Sequence, residues 1–271
     1  MESFPLPRCT TTIMPTVRRT ALELLALGDV DAKLMGVSQL ASANFDIQPD
    51  EILSGTTRLP GRPPRPVLVS PRELPRRSLG QREGRVALLH ALAHIEFNAI
   101  NLALDAIWRF AGLPHEFYRD WLQVAAEEAL HFRLLRERLR ALDADYGDCP
   151  AHDGLWEMAA KTAHDPLARM ALVPRTLEAR GLDAAPPIRA RLAAVGDHDS
   201  AAVLDVILRD EIGHVAIGNR WYRHLCAERG LDPITAYAEL ASAHGAPRLR
   251  GPFNLDARRA AGFAEAELDA L

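Results

Sequence analysis

Glu127-Glu128-Ala129-Leu130-His131 and Asp210-Glu211-Ile212-Gly213-His214 share one pattern, in which an acidic residue precedes a Glu-x-x-His motif. Both stretches lie in long segments whose apolar residues recur at helical spacing. Residues three apart share one face of a helix, so the Glu and His of each motif can reach one point. Two such motifs on facing helices, each joined by a lone Glu from a further helix, form the carboxylate-bridged two-metal centre of a four-helix bundle.

Glu96 supplies the first lone carboxylate, in the middle of an apolar helical stripe. The midpoint between residues 96 and 128 is residue 112, and Gly112-Leu113-Pro114 has the residue types that end one helix and begin the next. Each acid therefore lies about 24 Å from the turn, at the helical rise of 1.5 Å per residue. Antiparallel neighbouring helices would place Glu96 and Glu128 at the same level.

Glu178 supplies the second lone carboxylate, with Glu157 as its rival. The separation of 33 residues between Glu178 and Glu211 nearly equals the 32 residues between Glu96 and Glu128. The chain therefore reads as two copies of one helical hairpin.

The second hairpin is less regular in sequence than the first. Pro174 predicts a kink shortly before Glu178. Gly181 is expected to end this helix, and Pro186-Pro187 to open a short new one. For Glu178 and Glu211 to lie at the same level, residues 186–195 must continue roughly in the direction of the helix that carries Glu178.

The donor set consists of four carboxylates and two imidazoles. Carboxylates can bridge two divalent ions and offset their repulsion, and imidazole suits iron as a terminal ligand. A buried acid with no partner is otherwise costly, because it loses its hydration. We expect two iron ions, although manganese or a mixed iron–manganese pair would suit the same donors. The predicted ligands are Glu96, Glu128, His131, Glu178, Glu211 and His214.

The acids that precede the two motifs are candidates for an outer ring of hydrogen bonds. We predict that Glu127 accepts the ring N–H of His214 and that Asp210 accepts that of His131, which would fix both tautomers. The alternative is that both are solvated surface acids.

Two further residues are candidates near the site. His94 points away from Glu96 on a helix, so hydrogen bonding in the core or beside the ligands is expected rather than ligation. Tyr222 lies about two turns after His214 and is either a core aromatic or a redox tyrosine. The remaining histidines are expected at the surface or in caps: His90, His115, His152, His164, His198, His224 and His244.

The distribution of prolines divides the chain into three parts. Residues 1–80 are interpreted as an N-terminal helical segment followed by a connector whose many prolines exclude a long helix. Residues 81–230 would form the four-helix bundle with its two-metal core. Residues 231–271 would add a C-terminal helix and a tail.

Composition limits the class of partner. The chain has 271 residues and a formal net charge of −4, which disfavours a nucleic-acid binder or an anionic-membrane binder. No apolar run in the sequence is expected to span a bilayer, so no membrane association is predicted. The three widely separated cysteines favour a reducing, cytoplasmic location over a disulfide framework. A monomer or homodimer is expected.

These motifs resemble the ferritin-like superfamily, which includes ferritins, rubrerythrins, the small subunit of class I ribonucleotide reductase and di-iron hydroxylases. They are more closely similar to a bacterial ferritin-like family of unknown function. The resemblance implies an all-α, ferritin-like four-helix bundle with a di-iron site at the six residues above, but no substrate. The stretches that carry it are Leu89-His90-Ala91-Leu92-Ala93-His94-Ile95-Glu96, Ala126-Glu127-Glu128-Ala129-Leu130-His131-Phe132, Asp153-Gly154-Leu155-Trp156-Glu157-Met158, Arg175-Thr176-Leu177-Glu178-Ala179-Arg180-Gly181-Leu182-Asp183 and Glu211-Ile212-Gly213-His214-Val215.

The leading functional hypothesis is an enzyme that activates O2 and oxidises a small organic substrate, as a hydroxylase does. Electrons would come from an external reductase, because no flavin or iron–sulfur motif is visible. This hypothesis predicts a substrate-sized pocket that reaches the irons. The alternatives are a ferroxidase or peroxide-handling iron protein without an organic substrate, and a structural protein stapled by its metal. A nucleic-acid substrate rests on superfamily analogy alone.

Overall fold

The computed structural model describes residues 16–44, 46–55, 58–74 and 78–271 of the chain. The architecture over these residues is all-α, as predicted. An isolated β-bridge pairs Leu68 with Ala151. The part of the predicted N-terminal segment that covers residues 1–15 lies outside the described residues.

Two short helices precede the connector. Helix α1 spans Val17–Ala26 and α2 spans Val30–Ser42. The side chain of Thr16 caps α1, and the carboxylate of Asp29 caps α2 by accepting a backbone N–H of its first turn. The break between the two helices therefore falls at Gly28-Asp29, where a new helix can begin.

The first long hairpin agrees closely with its predicted limits. Helix α3 spans Arg82–Arg109 and α4 spans His115–Ala141, and the two pack against each other. Gly112 lies in the turn with a φ of +75°, a conformation that glycine adopts without steric cost. Helix α1 packs on α3, and α2 packs on α4.

Lys33 joins α2 and the proline-rich connector to α3. Its buried Nζ donates to Asn101 Oδ1 at 2.6 Å and to Gly61 O at 3.1 Å. Burial, followed by the charge of Arg62, lowers the pKa of Lys33 to about 7. As predicted, the connector contains no long helix among its described residues, only a 3₁₀ turn at Pro71–Glu73.

The second half begins with three helical pieces and a wider turn. Helix α5 spans Gly154–Lys161 and α6 spans Pro166–Leu172, and a π-helical segment covers Val173–Glu178. Helix α7 follows directly over Ala179–Ala194. The kink predicted at Pro174 is thus a π turn, in which the carbonyls bond five residues ahead.

Two predictions about α7 were wrong. The helix does not end at Gly181, and Pro186-Pro187 lie inside it rather than opening a new one. A proline inside a helix costs roughly 3 kcal/mol because it removes a backbone hydrogen bond and crowds the preceding turn. Packing overrides this local cost, since α7 lies against α8 (His198–Glu228) and buries Leu182 and Leu192. Residues 186–194 therefore continue the helix, as was expected if Glu178 and Glu211 lie at the same level.

The C-terminal part contains three more helices, where the sequence predicted one helix and a tail. They are α9 (Pro233–Ala243), α10 (Leu255–Ala260) and α11 (Glu265–Leu268). Helix α9 packs on α6 and α8, and α10 packs on α7 and α8.

The expectation that no apolar run could span a bilayer was wrong for α3. By length and composition this helix would be long enough and apolar enough to cross a membrane. Most of it is buried inside the protein, because α1, α4 and α5 pack around it. Its apolar character is that of a core helix and is consistent with a soluble protein.

Candidate metal centre

Six predicted ligand residues lie on four helical segments of the two halves. Glu96 is in the middle of α3, and Glu128 and His131 are on α4. Glu178 is the last residue of the π-helical segment, and Glu211 and His214 are on α8. None of the six is more than 9% exposed. The rival acid Glu157 is exposed on α5 and takes no part.

Five of these residues form two donor groups that share one carboxylate. Glu96, Glu128 and His131 form one group, and Glu128, Glu211 and His214 form the other, with donor atoms within 4.8 Å of one another in each. Glu128 Oε2 lies 3.3 Å from His131 Nδ1, whereas Glu128 Oε1 lies 3.0 Å from His214 Nδ1. The carboxylate of Glu128 therefore faces both groups, as a bridging ligand must.

Glu178 lies outside both groups but close enough to interact with them. The charges of Glu211 and Glu128 act on its carboxyl group. Its Oε2 is buried and has no hydrogen-bond partner among the described residues. A buried acceptor without a partner costs roughly 1–3 kcal/mol, so this oxygen calls for a further donor or a cation.

The four carboxyl groups hold protons unequally. Burial, followed by the charge of Glu128, raises the pKa of Glu96 well above its usual range. Burial and then the charge of Glu211 raise the pKa of Glu178 in the same way, and burial also raises that of Glu211. Burial alone would raise the pKa of Glu128 too, but the hydrogen bond from Glu96 and the charge of His214 lower it. A charged carboxylate thus sits at the centre of carboxyl groups that resist ionisation.

Both imidazoles attract protons strongly. Burial alone would lower the pKa of His131, but the carboxylates of Glu128 and Glu96 outweigh it and raise that pKa to about 11. For His214, burial is outweighed by Glu128 and Glu127, and the pKa lies well above its usual range. The centre therefore favours positive charge, and a divalent cation would compete with protons for the same positions.

The donor set fits a pair of transition-metal ions. Four carboxylates and two imidazoles offer the oxygen and nitrogen ligands that iron and manganese take, with no thiolate that would select zinc or an iron–sulfur cluster. The unpartnered oxygen of Glu178 and the shared carboxylate of Glu128 fit two ions better than one.

One outer carboxylate contacts the far side of each imidazole. Asp210 Oδ2 accepts a hydrogen bond from His131 Nε2 at 3.1 Å, and Glu127 Oε2 accepts one from His214 Nε2 at 2.7 Å. Both cross-helix contacts predicted from the sequence are present. They leave Nδ1 of each ring facing the carboxylates of the donor groups, and their role in metal binding stays a prediction.

The two other candidate residues do not join the donor groups. His94 Nδ1 is 2.8 Å from the Tyr146 hydroxyl, and His94 Nε2 is 2.9 Å from Asn98 Nδ2, so both ring nitrogens are engaged. The Tyr222 hydroxyl donates to the backbone oxygen of Pro233 at 2.6 Å, and its ring lies against Arg175. Tyr222 is therefore a buried, backbone-bonded aromatic.

The expectation that His90 is a surface or capping residue was wrong. It is fully buried, and its Nε2 accepts the backbone N–H of Gly147 at 2.9 Å. It belongs to a buried polar row on α3 that sequence reasoning missed. The signal was available, since these polar residues recur three or four positions apart in an otherwise apolar helix. The row is His90, His94, Asn98, Asn101 and Asp105.

A groove of about 1010 Å³ runs along the outer face of α4. Among the described residues its lining includes Glu127 but none of the six candidate ligands. The predicted pocket that reaches the irons is therefore not this groove, whose lining includes the outer acid Glu127 instead. Its walls include Ser38, Ile47, Arg119, Leu122, Glu127 and Leu130.

Comparisons with known proteins identify relatives but no activity. Residues 27–269 match the family described as "Protein of unknown function (DUF455)". An uncharacterized protein of Haemophilus influenzae is 52% identical over 214 residues, which cover 76% of this chain and 74% of that protein. No solved structure matches the chain.

Proposed function

The chain belongs to the DUF455 family, whose description assigns no function, and we propose that it is a non-haem di-iron carboxylate protein with a ferritin-like four-helix bundle. We propose further that it activates O2 as an oxidase or oxygenase. The observation that carries this proposal is the pair of buried Glu–His donor groups that share Glu128. Two such groups on antiparallel hairpins are the arrangement by which helical bundles hold two metal ions.

Iron is the metal we propose, with manganese or a mixed pair as the variants that the same donors admit. A pair of ferrous ions would supply electrons to O2, and an external reductase would return electrons to the ions. The residues of this chain would hold the ions, exclude bulk water by their burial, and orient the imidazoles through Glu127 and Asp210.

A second candidate function is the handling of iron or peroxide without an organic substrate. One observation favours it, because the groove along α4 is lined by Glu127 but by none of the six candidate ligands, and the imidazole of His214 separates Glu127 from the donor groups. Electrons can cross such a hydrogen bond and ring, whereas an oxygen atom cannot be delivered through them. O2, peroxide and ferrous ions are small enough to reach an enclosed centre that larger substrates cannot.

The test is anaerobic reconstitution with ferrous iron, followed by metal counting and stopped-flow absorbance on mixing with air. We expect two irons per chain and a transient visible absorption band. Glu128→Ala should lose both irons, because both donor groups depend on that carboxylate. Glu137→Ala, at an exposed position of the same helix, is the matched control and should behave as the wild type.

The outcomes separate the candidates. Oxygen consumption that depends on ferrous iron alone would favour iron or peroxide handling, whereas consumption that needs reductant and an added organic compound would favour an oxygenase. Two tightly held ions with no reaction towards O2 would indicate a structural metal. Failure to bind metal under all these conditions would refute the proposal.

A further inference from the structure

We propose that the C-terminal segment, residues 247–271, is a clasp that sets the position of Glu178, with Arg175 and Glu267 as its positioning residues. This inference rests on the proposed metal centre, because Glu178 matters only if it is a ligand. The clasp would affect the metal position to which Glu178, on the π-helical segment, contributes. It would leave the half built on α3 unaffected.

Arg175 lies three residues before Glu178 and is almost fully enclosed, at 4% exposure. Its Nη2 donates to Glu267 Oε1 of α11 at 2.5 Å, and its Nη1 donates to Asn219 Oδ1 of α8 at 2.9 Å. Asn219 Nδ2 in turn donates to the backbone oxygen of Ala261 at 2.8 Å. The π-helical segment, α8 and the C-terminal segment thus share one hydrogen-bonded junction.

Three aromatic rings enclose the same guanidinium. The carbon Cζ of Arg175 lies 4.7 Å from the ring centre of Tyr222, 5.2 Å from that of Tyr237 and 4.8 Å from that of Phe263. Cation–π contacts are stronger when they are desolvated, as they are here. With its ion pair buried and its rings on several sides, Arg175 has little freedom to move.

The C-terminal segment also grips the chain after Glu178. Arg258, which is fully buried, pairs with Asp183 at 2.6 Å, and its guanidinium lies 5.3 Å from the Phe263 ring. Asp183 also accepts the backbone N–H of Asn254 at 2.9 Å. The C-terminal segment therefore contacts the chain on both sides of Glu178, at Arg175 three residues before it and at Asp183 five residues after it.

The contacts on both sides of Glu178 matter because the π turn could convert to an ordinary α-helical turn. One residue fewer in the turn restores an ordinary α-helix, and each residue of an α-helix corresponds to a rotation of about 100°. Such a change of register would carry the side chain of Glu178 away from Glu211 and Glu128. A wide turn containing Pro174 is weak by itself, so contacts from outside must select its register. Arg175 sits inside the turn and makes those contacts.

The test compares two variants of neighbouring acids in α11. Glu267→Gln weakens the buried pair with Arg175, whereas Glu265→Gln weakens an exposed pair with Arg259 that does not touch the π-helical segment. Full-length proteins are titrated with Mn²⁺, with the binding isotherm and the electron paramagnetic resonance spectrum as readouts. Circular dichroism and thermal unfolding without added metal report on the fold. Arg175→Lys, which keeps the charge but not the forked geometry, is the second variant.

We expect Glu267→Gln to weaken one of the two Mn²⁺ sites by about tenfold or more, the range found when outer contacts of metal ligands are lost. Its spectrum should change from that of a coupled pair to that of an isolated ion at a Mn²⁺ concentration that saturates the wild type. Glu265→Gln should keep both sites. A merely structural role for the clasp predicts a lower unfolding temperature with both sites weakened equally.

Besides equal weakening of both sites, two further results would overturn the inference. If the wild type binds two ions and both Glu267→Gln and Arg175→Lys keep both affinities, the clasp does not position Glu178. If the wild type binds no Mn²⁺ or Fe²⁺, the proposed function fails and the clasp fails with it. If Arg175→Lys does not fold, Glu267→Gln decides alone, because it leaves the aromatic enclosure in place.

Discussion

The two hairpins that carry the candidate ligands are built differently. In the first, α3 and α4 are regular helices joined by a short turn, and Glu96 sits in the middle of an unbroken helix. In the second, Glu178 ends a π turn, and Pro186 and Pro187 lie in the helix that follows. The first hairpin positions its acid by helical geometry, whereas the second relies on contacts from elsewhere in the chain.

Buried cations contact both hairpins, and the first is held by a lysine as well as by arginines such as Arg18 and Arg169. Lys33 of α2 binds Asn101 on α3, and Arg175 of the π-helical segment binds Glu267 on α11. A lysine can lose its proton when buried, but an arginine keeps its charge. The two halves should therefore respond differently to mutation and to pH, and four measurements test this difference.

The largest expected effect separates Glu96→Ala from Glu178→Ala. Glu96 belongs to a compact donor group and Glu178 lies outside both groups. We expect Glu96→Ala to weaken its metal position by more than about 100-fold, above the range for outer contacts, and Glu178→Ala to have the smaller effect. Calorimetric titration with Fe²⁺ under anaerobic conditions measures both. Equal losses would show that the second half is as tightly built as the first.

A smaller effect is expected where the π turn meets α8. A Cβ at Gly218 would lie 2.5 Å from Pro174 Cβ, whereas a Cβ at Gly213 would meet no atom within 4 Å. Gly218→Ala should lower the free energy of unfolding by about 1–3 kcal/mol through overpacking. Gly213→Ala should raise it by up to about 1 kcal/mol, because alanine favours helix. Chemical denaturation measures both changes. If Gly218→Ala left the free energy of unfolding unchanged, the π turn would be able to shift and accommodate the added methyl group.

The outer carboxylates allow the same comparison with isosteric changes. Asp210→Asn loosens the contact to His131, and Glu127→Gln loosens the contact to His214. Each should cost roughly 10–100-fold in metal affinity, equivalent to about 1.4–2.7 kcal/mol. Gln123→Ala is the control, since Gln123 touches Glu127 but no imidazole. Unchanged affinity in both isosteric variants would make these acids surface residues beside the centre.

The last comparison concerns a dependence of stability on pH in the first half. The pKa of Lys33 is about 7 in the folded protein and 10.5 when unperturbed, so between these values the unfolded chain binds more protons. The free energy of unfolding should therefore rise with pH over this window, by at most about 1.4 kcal/mol per pH unit. Lys33→Met should remove this contribution. Denaturation at pH 7 and pH 9 measures the difference, and parallel curves for both proteins would refute it.

Regular parts of this chain could be predicted closely and irregular parts could not. The limits of α3 and α4 follow from an apolar stripe and a Gly-Leu-Pro turn, which act locally. The continuation of α7 through Pro186 and Pro187 was missed, because packing against α8 outweighs a local cost. His90 was misplaced although the helical spacing of its polar row was a local signal, and only its partner Gly147, 57 residues away, lay beyond local reasoning.

The sequence alone determined the all-α class, the repeated Glu-x-x-His spacing and the residues that converge, because helical periodicity translates spacing into a shared face. Tertiary structure alone decided that Glu128 faces both donor groups and that a π turn presents Glu178. It also decided that Arg175 meets Glu267, 92 residues further along the chain. Such contacts depend on how helices pack at long range, and no local pattern of residues encodes them.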